Sequence, residues 1–453
     1  MNQGQKYYQL IPEKVYNNLS VITELLSPDI KGFSIDCLKE VISIVAIHIR
    51  KDENCGPLRM TYIKELVPQG DKYLSGLIDM GIIERSGMAS EKKHICYKYG
   101  FSSEYQSKYL SLPLNNAKLI LRIDRVWNKQ KEKTAKNIRG YSGQIKYLTH
   151  LTIDESYIDF LKSNHTSGTN QYNSILESAI RIINKDISYS VDSTSGRFHS
   201  NLTNMAKGLR PYLRINGEPL VNIDIKNSQP YLSTIILTYP SKVAWMTKNP
   251  AFALLLQNLK VSVNKEDVKN YISLVISGQL YEYLMAEYLK EGLSLTRSET
   301  KVQVLRILFA RNRMPKDETN RRARQIFKDR FPTVHRIFSK VRGHEPGDKF
   351  QNFKRFAILL QRIESYLMLD VILKRIYKEL PGTIAVTVHD SIMTGILTNN
   401  AEAVSKIMTE ELTFFIGFAP KIKIEMIIKE RKEIEEKSII LNQYSATNPV
   451  SLN

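Results

Sequence analysis

Two acidic residues that lie far apart in the chain occupy positions that suit metal-dependent chemistry. The stretch LVNIDIKNSQPYLSTIIL, residues 220–237, begins as an apolar strand and places Asp224 at the end of that strand. It then continues as a helix that Pro230 opens near its first turn, with Asn227 or Ser228 expected as the cap. A cap explains the turn but not the acid. If Asp224 holds a metal ion, a second acid is expected at another strand end.

The second acid is Asp390. The stretch PGTIAVTVHDSIMTGIL, residues 381–397, predicts a β-hairpin with His389, Asp390 and Ser391 at its tip. Such residues are common in tight turns for local reasons, so the tip alone identifies nothing. Together, the two carboxylates suit a pair of Mg²⁺ ions, which use one or two carboxylates plus substrate phosphates. Paired ions activate an attacking hydroxyl and neutralise a leaving pyrophosphate. The backbone carbonyl of Ile225 is a candidate further ligand.

A helix is predicted between the two acids, over LSLTRSETKVQVLRILFARNRM at residues 293–314. Residues spaced by four share one face of a helix, and here these are Arg297, Lys301, Leu305 and Phe309. The two cations suit the phosphates of a nucleoside triphosphate, and the ring suits stacking on its base. The alternative is an amphipathic helix whose cations extend over an apolar stripe.

The charge of the chain indicates a polyanionic partner. Its 65 lysines and arginines exceed its 46 acids and leave a net charge of +19, which favours nucleic acid ahead of a membrane surface. A highly soluble protein without such a partner is the alternative. Residues 301–342 hold 13 of the cations and interleave them with aromatic residues, as a groove for a phosphate backbone would. Arg321, Arg322 and Arg324 are the candidate contacts in this region.

Cysteine usage and hydropathy predict an intracellular protein. The three cysteines are far apart and include no C-x-x-C pair, which favours a reducing compartment and argues against a disulfide framework or a zinc site. Neither an apolar signal core nor a run of membrane-spanning length is present. We therefore expect a cytoplasmic protein with no membrane partner.

The sequence pattern of residues 34–110 predicts a separate small module. Three helical segments are followed by GIIERSG and KKHICYKYGF, which alternate like a two-stranded ribbon. This order resembles a winged helix, a module that binds DNA in some proteins and other proteins elsewhere. Residues 115–185 predict mostly helix and include the basic stretch NKQKEKTAKNIRGYSGQIK, which is either a solvated face or a grip on a nucleic-acid backbone.

Four blocks in order along the chain resemble right-hand polymerases of the DNA polymerase A type and the phage and mitochondrial single-subunit RNA polymerases. STSGRFHSNLTNM resembles the T-x-x-G-R block, and VNIDIKNSQPYLS resembles motif A. TRSETKVQVLRILFA resembles motif B, and VTVHDSIMT resembles motif C. The resemblance implies that Asp224 and Asp390 are the metal ligands and that Arg197 contacts the template or primer backbone, with His389 beside the second acid. It also implies triphosphate contacts by Arg297 and Lys301, the latter with a catalytic role, and base stacking by Phe309.

Within this resemblance, the choice between RNA and DNA synthesis stays open. TRSETK and HDSIMT are closer to the single-subunit RNA polymerases, whereas FKDRFPTVHRIFSKV and GRFHSNLTN are closer to the DNA polymerases. Phe309 lacks the hydroxyl that RNA polymerases use near the ribose. Gln229 stands where DNA polymerases place a glutamate that blocks the 2′-hydroxyl and RNA polymerases place glycine. The bulk of Gln229 predicts a bias against ribonucleotides, although its amide could also hydrogen-bond that hydroxyl.

These features predict an α+β fold, with a right-hand polymerase core of palm, fingers and thumb-like helices behind an N-terminal winged-helix-like module. The expected segments are the winged-helix-like nucleic-acid-binding module at 1–110, a helical thumb-like or linker region at 111–185, a first palm segment at 186–240, fingers at 241–364, and a second palm segment together with the C-terminal residues at 365–453.

The expected activity is template-directed nucleotidyl transfer. It requires two Mg²⁺ ions, for which Mn²⁺ is a candidate substitute, a DNA template and nucleoside triphosphates. The resemblance favours a minimal single-subunit DNA-directed RNA polymerase or primase-like enzyme of a phage or other mobile element. An accessory protein for promoter or origin recognition is a candidate partner. The alternatives are a DNA polymerase without proofreading, a two-metal nuclease, and a catalytically inactive winged-helix replication or regulatory DNA-binding protein.

Overall fold

Helices are the main element of the fold, and antiparallel strands join them. A computed structural model describes residues 6–50, 53–90, 95–137, 141–164, 170–261, 263–343, 354–396 and 400–427. The residues outside these ranges are 1–5, 51–52 and 91–94 of the expected N-terminal module, 138–140 and 165–169 of the expected helical region, 262 and 344–353 of the expected fingers, and 397–399 and 428–453 of the last expected segment.

The described residues form twenty α-helices, some of a single turn. They are α1 (Glu13–Asn17), α2 (Leu19–Leu26), α3 (Ile35–His48), α4 (Met60–Leu66), α5 (Gly70–Asp79), α6 (Ala117–Asn137), α7 (Ser142–Thr149), α8 (Tyr157–Asn164), α9 (Asn170–Ile183), α10 (Asn201–Asn204), α11 (Ser228–Thr238), α12 (Pro250–Gln257), α13 (Glu266–Ile276), α14 (Leu280–Lys290), α15 (Arg297–Phe309), α16 (Glu318–Arg330), α17 (Pro332–Arg342), α18 (Arg355–Ser365), α19 (Leu373–Glu379) and α20 (Ala401–Ile416).

Thirteen strands occur in the same ranges, and most of them are short. They are β1 (Tyr8–Pro12), β2 (Gly56–Pro57), β3 (Ile83–Ser86), β4 (Lys98–Phe101), β5 (Tyr109–Pro113), β6 (Leu151–Ile153), β7 (Tyr189–Val191), β8 (Phe198–Ser200), β9 (Leu213–Ile215), β10 (Glu218–Ile225), β11 (Ala385–Val388), β12 (Ser391–Gly395) and β13 (Ile422–Ile427). This mixture of helices and antiparallel strands confirms the helix-and-strand component of the expected fold class.

The chain divides into two compact units, which we call unit 1 and unit 2. Unit 1 contains the described residues of Met1–Tyr189 together with Ser200–Gly217. Its strands pair as β1 with β5, β6 with β9, and β2-β4-β3 as a three-stranded sheet. Helices α3, α4 and α5 and the antiparallel pair of β3 with β4 confirm the elements predicted for residues 34–110. The mostly helical region predicted at 115–185 is confirmed by α6 to α9.

Helix α3 forms the centre of the core of unit 1. Ser34 caps its first turn and accepts a hydrogen bond from the amide of Cys37. Its apolar side chains are buried almost all round, and Glu40 is buried among them with 2% of its surface exposed. The Glu40 carboxylate accepts hydrogen bonds from the Tyr7 hydroxyl at 3.0 Å and from the Gln9 amide at 2.9 Å. Burial raises the pKa of Glu40 to about 7, although these two bonds oppose the rise.

Unit 2 contains Ser190–His199 and Glu218–Ile427. Its sheet runs in the order β11-β12-β10-β13, and every pair in it is antiparallel. Strand β10 lies between two neighbours, which explains why its apolar residues Leu220 and Ile223 are fully buried. Helix α11 is buried over nearly its whole length, and the hydroxyl of Tyr231, in its first turn, donates to the carbonyl of Phe418 at 2.7 Å. Neighbouring strands and buried helix contacts of unit 2 therefore hold β10 and α11 in place.

No helix in the described part of the chain has both the length and the apolar character needed to cross a membrane.

Candidate active site

Pairing of β10 with β12 brings the two predicted acids to one end of the sheet. Asp224 on β10 lies directly opposite Ser391, the first residue of β12. Asp390 immediately precedes Ser391, in the two-residue loop between β11 and β12. Both acids are half-buried, and both line one cavity of about 610 Å³ in unit 2. The hairpin predicted at 381–397 is thereby confirmed over its described residues, and Asp390 lies at its bend as expected.

The turn after Asp224 presents three polar side chains to this cavity. Asn227 has φ 55° and ψ 38°, a left-handed conformation that asparagine tolerates, and it stands at the N-cap position of α11. Asn227 is thus the N-cap residue, one of the two predicted, but its side chain makes no cap hydrogen bond, and Ser228 is already the first helical residue. Within the described residues, the side-chain polar atoms of Asn227, the Ser228 hydroxyl and the Gln229 carbonyl oxygen are buried without a hydrogen-bond partner.

Such orphaned atoms are costly, because each has lost water and received nothing in exchange. Asn227 and Ser228 are 7% and 5% exposed, and both line the cavity. A native structure keeps few buried unpartnered groups, and each requires an explanation such as a bound ligand or ion. The three residues that carry these atoms follow one another beside Asp224 and line the cavity, so their polar groups are candidate contacts for a polar ligand.

A buried glutamate on α18 holds two of the predicted site residues. Glu364 is 3% exposed and accepts two hydrogen bonds from the Arg197 guanidinium, each at 2.9 Å. Its Oε2 also accepts a 2.5 Å bond from the Gln229 amide nitrogen. Burial raises the pKa of Glu364 to about 7, with Arg197 opposing that rise and the negative charge of Asp390 adding to it. Arg197 is therefore anchored at the cavity wall, and the Gln229 amide is fixed in one orientation.

His389, predicted beside the second metal ligand, occupies the first position of the two-residue loop. Its φ is +56°, a conformation that is strained for a non-glycine residue. The ring packs edge-to-face against His199, with 6.2 Å between the centroids, and it lines the cavity next to Asp390. Strain of this kind persists only where the surroundings hold the residue in place, which is common at functional sites.

Helix α15 brings both predicted triphosphate-binding cations to the cavity. Arg297 is its first residue and Lys301 follows one turn later, and both line the cavity together with Leu305. Arg297 donates from Nε to Glu282 at 2.7 Å and lies over the Tyr281 ring, 5.3 Å from its centroid. These two contacts come from α14 and fix the direction of the guanidinium.

A capping box forms the start of α15. The Thr296 hydroxyl oxygen accepts from the amide of Glu299, and the Glu299 carboxylate accepts from the backbone amide of Thr296 at 2.8 Å. This exchange satisfies two of the amides that a helix start leaves unpaired. It also orders the first turn, on which Arg297 lies.

The structure does not bring every predicted residue to the site. Phe309 is the last residue of α15 and does not line the cavity. Arg324 is 6% exposed and donates to the carbonyls of Arg311 and Arg313 at 3.0 and 3.1 Å, so it holds a loop and offers no surface for nucleic acid. The prediction of Arg324 as a nucleic-acid contact is therefore withdrawn.

On α16, Arg321 is exposed and Arg322 is half-buried, and neither lines the cavity. Arg321 pairs with Glu318 one turn earlier, and Arg322 donates to the carbonyl of Glu291. Both remain accessible to a polyanion, and their role stays a prediction.

The donor set of the cavity fits Mg²⁺ bound largely by substrate. Among the described residues, no group of three or more His, Cys, Asp or Glu side chains could hold a metal ion. Mg²⁺ does not need such a group, because it keeps waters and takes substrate phosphates beside one or two carboxylates. Asp224, Asp390 and the end of β10 at Ile225 supply oxygen donors around one cavity. Lys423, the cross-strand neighbour of Asp224 on β13, lines the same cavity and pairs with Glu425 at 3.0 Å.

Sequence reasoning missed several residues that the structure places here. Asn227 and Ser228 were interpreted only as caps, and Glu364 was not considered. A signal for Glu364 exists, since it interrupts an apolar stripe formed by Leu360, Ile363 and Leu367, where a lone acid indicates a buried partner. Glu282 and Tyr281, which position Arg297, carry no comparable signal.

The comparisons with known proteins add little to this geometry. The chain matches no protein-family model, and no curated protein is detectably similar to it. Among solved structures it is similar to the POL domain of Pol1 from M. smegmatis, in complex with DNA primer-template and dNTP. The sequence identity is 10% and the TM-score 0.30, over 92% of this chain and 66% of that one. The chain thus spans just under two thirds of the length of that structure. A likeness this weak carries no argument about fold or activity.

Proposed function

We propose that this chain is a template-directed nucleic-acid polymerase that adds nucleotides to a 3′-hydroxyl or joins two nucleotides. The observation that carries the proposal is the meeting of Asp224 and Asp390 at neighbouring strand ends, on a cavity that also receives Arg297 and Lys301. Carboxylates for metal ions and cations for phosphates, side by side in one cavity, are what phosphoryl transfer requires. The motif resemblance in the sequence supports the same assignment.

In this proposal Asp224 and Asp390 hold two Mg²⁺ ions, with the carbonyl of Ile225 as a further ligand and Mn²⁺ as a substitute. When bound, the ions lower the pKa of the attacking hydroxyl and neutralise the departing pyrophosphate. The chain's own residues bind and orient the substrate. Arg297 and Lys301 bind the triphosphate, and Lys301 stabilises the charge that develops on the leaving group.

The orphaned polar atoms of Asn227 and Ser228 receive their missing hydrogen bonds from the nucleotide or its bound water. Glu364 keeps Arg197 at the cavity wall, where one edge of the guanidinium contacts the template or primer backbone. His389 contacts the nucleic acid next to Asp390. Stacking of Phe309 on the base requires movement of α15, because Phe309 does not line the cavity.

One observation favours ribonucleotides as substrates. The Gln229 amide nitrogen is occupied by Glu364, whereas its carbonyl oxygen is buried and has no partner among the described residues. The side chain therefore presents an acceptor, and a sugar hydroxyl is a donor. By the motif resemblance this position lies beside the 2′-carbon, so we propose RNA synthesis on a DNA template. DNA synthesis is the alternative if the bulk of Gln229 excludes the hydroxyl.

We further propose that the sheet of unit 2 is the palm and its helices between 241 and 364 the fingers, with α6 to α9 as the thumb-like region. The module at 34–110 is proposed as a winged helix that contacts nucleic acid, and an accessory protein for promoter or origin recognition remains a candidate partner. Arg321 and Arg322 are proposed as contacts with the template strand.

Template-directed incorporation by purified variants tests the proposal. Asp224→Ala and Asp390→Ala are each expected to lower incorporation by at least about a thousandfold, because each removes a metal ligand. The matched control is Asp370→Ala, which removes an acid of unit 2 that pairs with Lys374 outside the cavity. This control is expected to keep normal activity.

The substrate requirement separates the proposed enzyme from its rivals. Labelled ribo- and deoxyribonucleotides are supplied separately on single-stranded DNA, with and without a primer. A wild-type protein that binds DNA but extends nothing under all four conditions would be the inactive DNA-binding protein. Cleavage of the strand without nucleoside triphosphates would identify a nuclease. Full synthesis by the Asp390→Ala variant would refute the assignment of the metal site.

A further inference from the structure

A second large cavity lies in unit 1, outside the candidate active site. Its volume is about 1240 Å³, and it is bounded by the end of α3, by α4, by the β3–β4 ribbon region and by α6. Small-molecule sites usually occupy about 300–1,000 Å³, so this cavity is better described as a groove for an extended ligand. We call it the unit 1 groove.

The unit 1 groove is strongly basic. Eight arginine and lysine side chains line it, against three acids. One of those acids, Glu40, is buried and hydrogen-bonded within the core. Another, Asp186, pairs with Arg181 at 3.4 Å. The excess of positive charge therefore faces the open side of the groove, and a polyanion is the ligand that it attracts.

Helix α6 supplies the basic wall of the groove. Arg122, Arg125, Lys129 and Lys133 are spaced by three or four residues, and on a helix they fall within an arc of about 80°. The stripe is about 16 Å long at 1.5 Å per residue. The opposite side of the helix buries apolar residues, among them Ile123, so the stripe cannot rotate inward.

The basic residues of this wall differ in their contacts. Arg122 donates to the carbonyls of Lys64 and Glu65, both at 2.8 Å, and thereby ties α6 to α4. In contrast, Arg125, Lys129 and Lys133 are exposed, as is Arg59 at the start of α4, and none of these four pairs with an acid among the described residues. Four cations with no acid partner on two walls of one groove suit the successive phosphates of a strand.

We infer that the unit 1 groove binds the phosphodiester backbone of a single-stranded nucleic acid, and that this is the nucleic-acid contact of the N-terminal module. A duplex is read by a helix that protrudes into its major groove, whereas a single strand follows a positively charged groove. The helix that would protrude in a winged helix is α5. Its exposed side chains are Lys72, Ser75 and Asp79, which carry no excess of positive charge.

The inference does not depend on the catalytic proposal, because its test needs neither nucleotides nor metal. The probe is a fluorescently labelled oligodeoxythymidine of about 12 nucleotides, within the usual range of single-strand sites. Binding to the full chain is followed by fluorescence anisotropy in the presence of EDTA, over a series of salt concentrations. A duplex of the same length is measured in parallel.

The test variant changes Arg125, Lys129 and Lys133 together to glutamine, which keeps helix propensity and removes three charges. We expect affinity for the single strand to fall about ten- to a hundredfold, and the slope of log affinity against log salt to fall by about two. The matched control changes Lys31, Lys72 and Lys118 to glutamine. These lysines are exposed in unit 1, none lines the groove, and Lys72 is on α5. The control is expected to bind like the wild type.

A second variant, Arg59→Gln, tests the opposite wall and covers the case in which the triple change disturbs folding. It is expected to lower affinity about threefold or more and to reduce the salt slope by somewhat less than one. Unchanged binding by both groove variants would overturn the inference. So would an equal loss in the control triple, or a wild-type preference for the duplex that depends on Lys72.

Discussion

At the scale of single residues, the orientation of Gln229 gives the sharpest prediction. Glu364 holds its amide nitrogen and leaves its carbonyl oxygen as an unpartnered acceptor. Gln229→Leu keeps most of the bulk and removes the acceptor. If the acceptor binds a sugar hydroxyl, the preference for ribonucleotides over deoxyribonucleotides falls about three- to tenfold, the worth of one hydrogen bond. The measurement is the ratio of kcat/KM for the two nucleotide types.

Gln229→Gly distinguishes the two possible roles of this side chain. It removes both bulk and acceptor, so under the hydrogen-bond hypothesis it lowers the ribonucleotide preference as the leucine variant does. If Gln229 instead excludes the 2′-hydroxyl by its size, the glycine variant accepts more ribonucleotide and the leucine variant does not. A ratio unchanged in both variants would remove Gln229 from sugar selection.

Sequence reasoning identified the residues whose chemistry is visible from their type and spacing, such as Asp224 and Asp390. It could not identify roles that depend on burial. The orphaned atoms of Asn227 look like a helix cap until the fold shows that no amide reaches them. Arg324 is of the same type as its neighbours Arg321 and Arg322, yet it is buried and donates to backbone carbonyls. Burial is a property of the packed chain, and a local pattern indicates it only indirectly.

At the scale of elements, the start of α15 links helix stability to substrate binding. The capping box of Thr296 and Glu299 orders the turn that carries Arg297. Thr296→Ala is expected to cost about 1 kcal/mol of stability through the lost cap. Fraying of the first turn also displaces Arg297 from Glu282, so KM for the nucleoside triphosphate rises about threefold or more while kcat changes less. Steady-state kinetics with varied nucleotide measures both.

Another helix of the same unit offers the control for this prediction. Asp317 caps α16 by accepting from the amide of Asn320 at 2.8 Å, and no residue of α16 lines the cavity. Asp317→Ala is expected to lower stability by a similar amount and to leave KM unchanged. If the two variants raised KM equally, the effect would come from general loosening of unit 2 and not from the position of Arg297.

Elements were the most predictable level of this fold. Helix α15 begins at Arg297, within the predicted segment, because Thr296 and Glu299 form a recognisable cap. The hairpin of β11 and β12 follows from its β-rich runs and polar tip. The pairing of β10 with both β12 and β13 was not predictable in detail, since such register depends on contacts between distant regions of the chain.

At the scale of the whole molecule, the described residues of each unit include one buried glutamate with a raised pKa. Burial disfavours the charged forms of Glu40 in unit 1 and Glu364 in unit 2 and raises the pKa of each to about 7. The sequence shows two glutamates within apolar segments but not their partners, so this property could not be predicted. It affects the stability of both units in the same direction.

The sign of that effect follows from linkage. A carboxyl group whose folded pKa exceeds its unfolded value binds more protons in the folded state, so its contribution is fully present at low pH and is lost as pH rises through about 7. Between about pH 5 and about pH 8.5, ionisation of each group lowers the free energy of unfolding by about 2 to 3 kcal/mol. Burial lowers the pKa values of His48 and His335, which act in the opposite sense over the acidic end of this range.

Comparing a Glu40 variant with the wild type separates the effect of this glutamate on stability from that of the histidines. Glu40→Gln cannot ionise, so the free energy of unfolding of unit 1 should decline less with pH than in the wild type. We expect the variant to be less stable than the wild type at about pH 5, where it loses matched hydrogen bonds, and to recover about 2 kcal/mol of that difference by about pH 8.5. Thermal unfolding of both proteins across this pH range measures how the difference in stability changes. Glu402→Gln, a change of an exposed acid on α20, should parallel the wild type throughout. Parallel profiles for Glu40→Gln and the wild type would show instead that Glu40 stays ionised in the folded core, held by Tyr7 and Gln9.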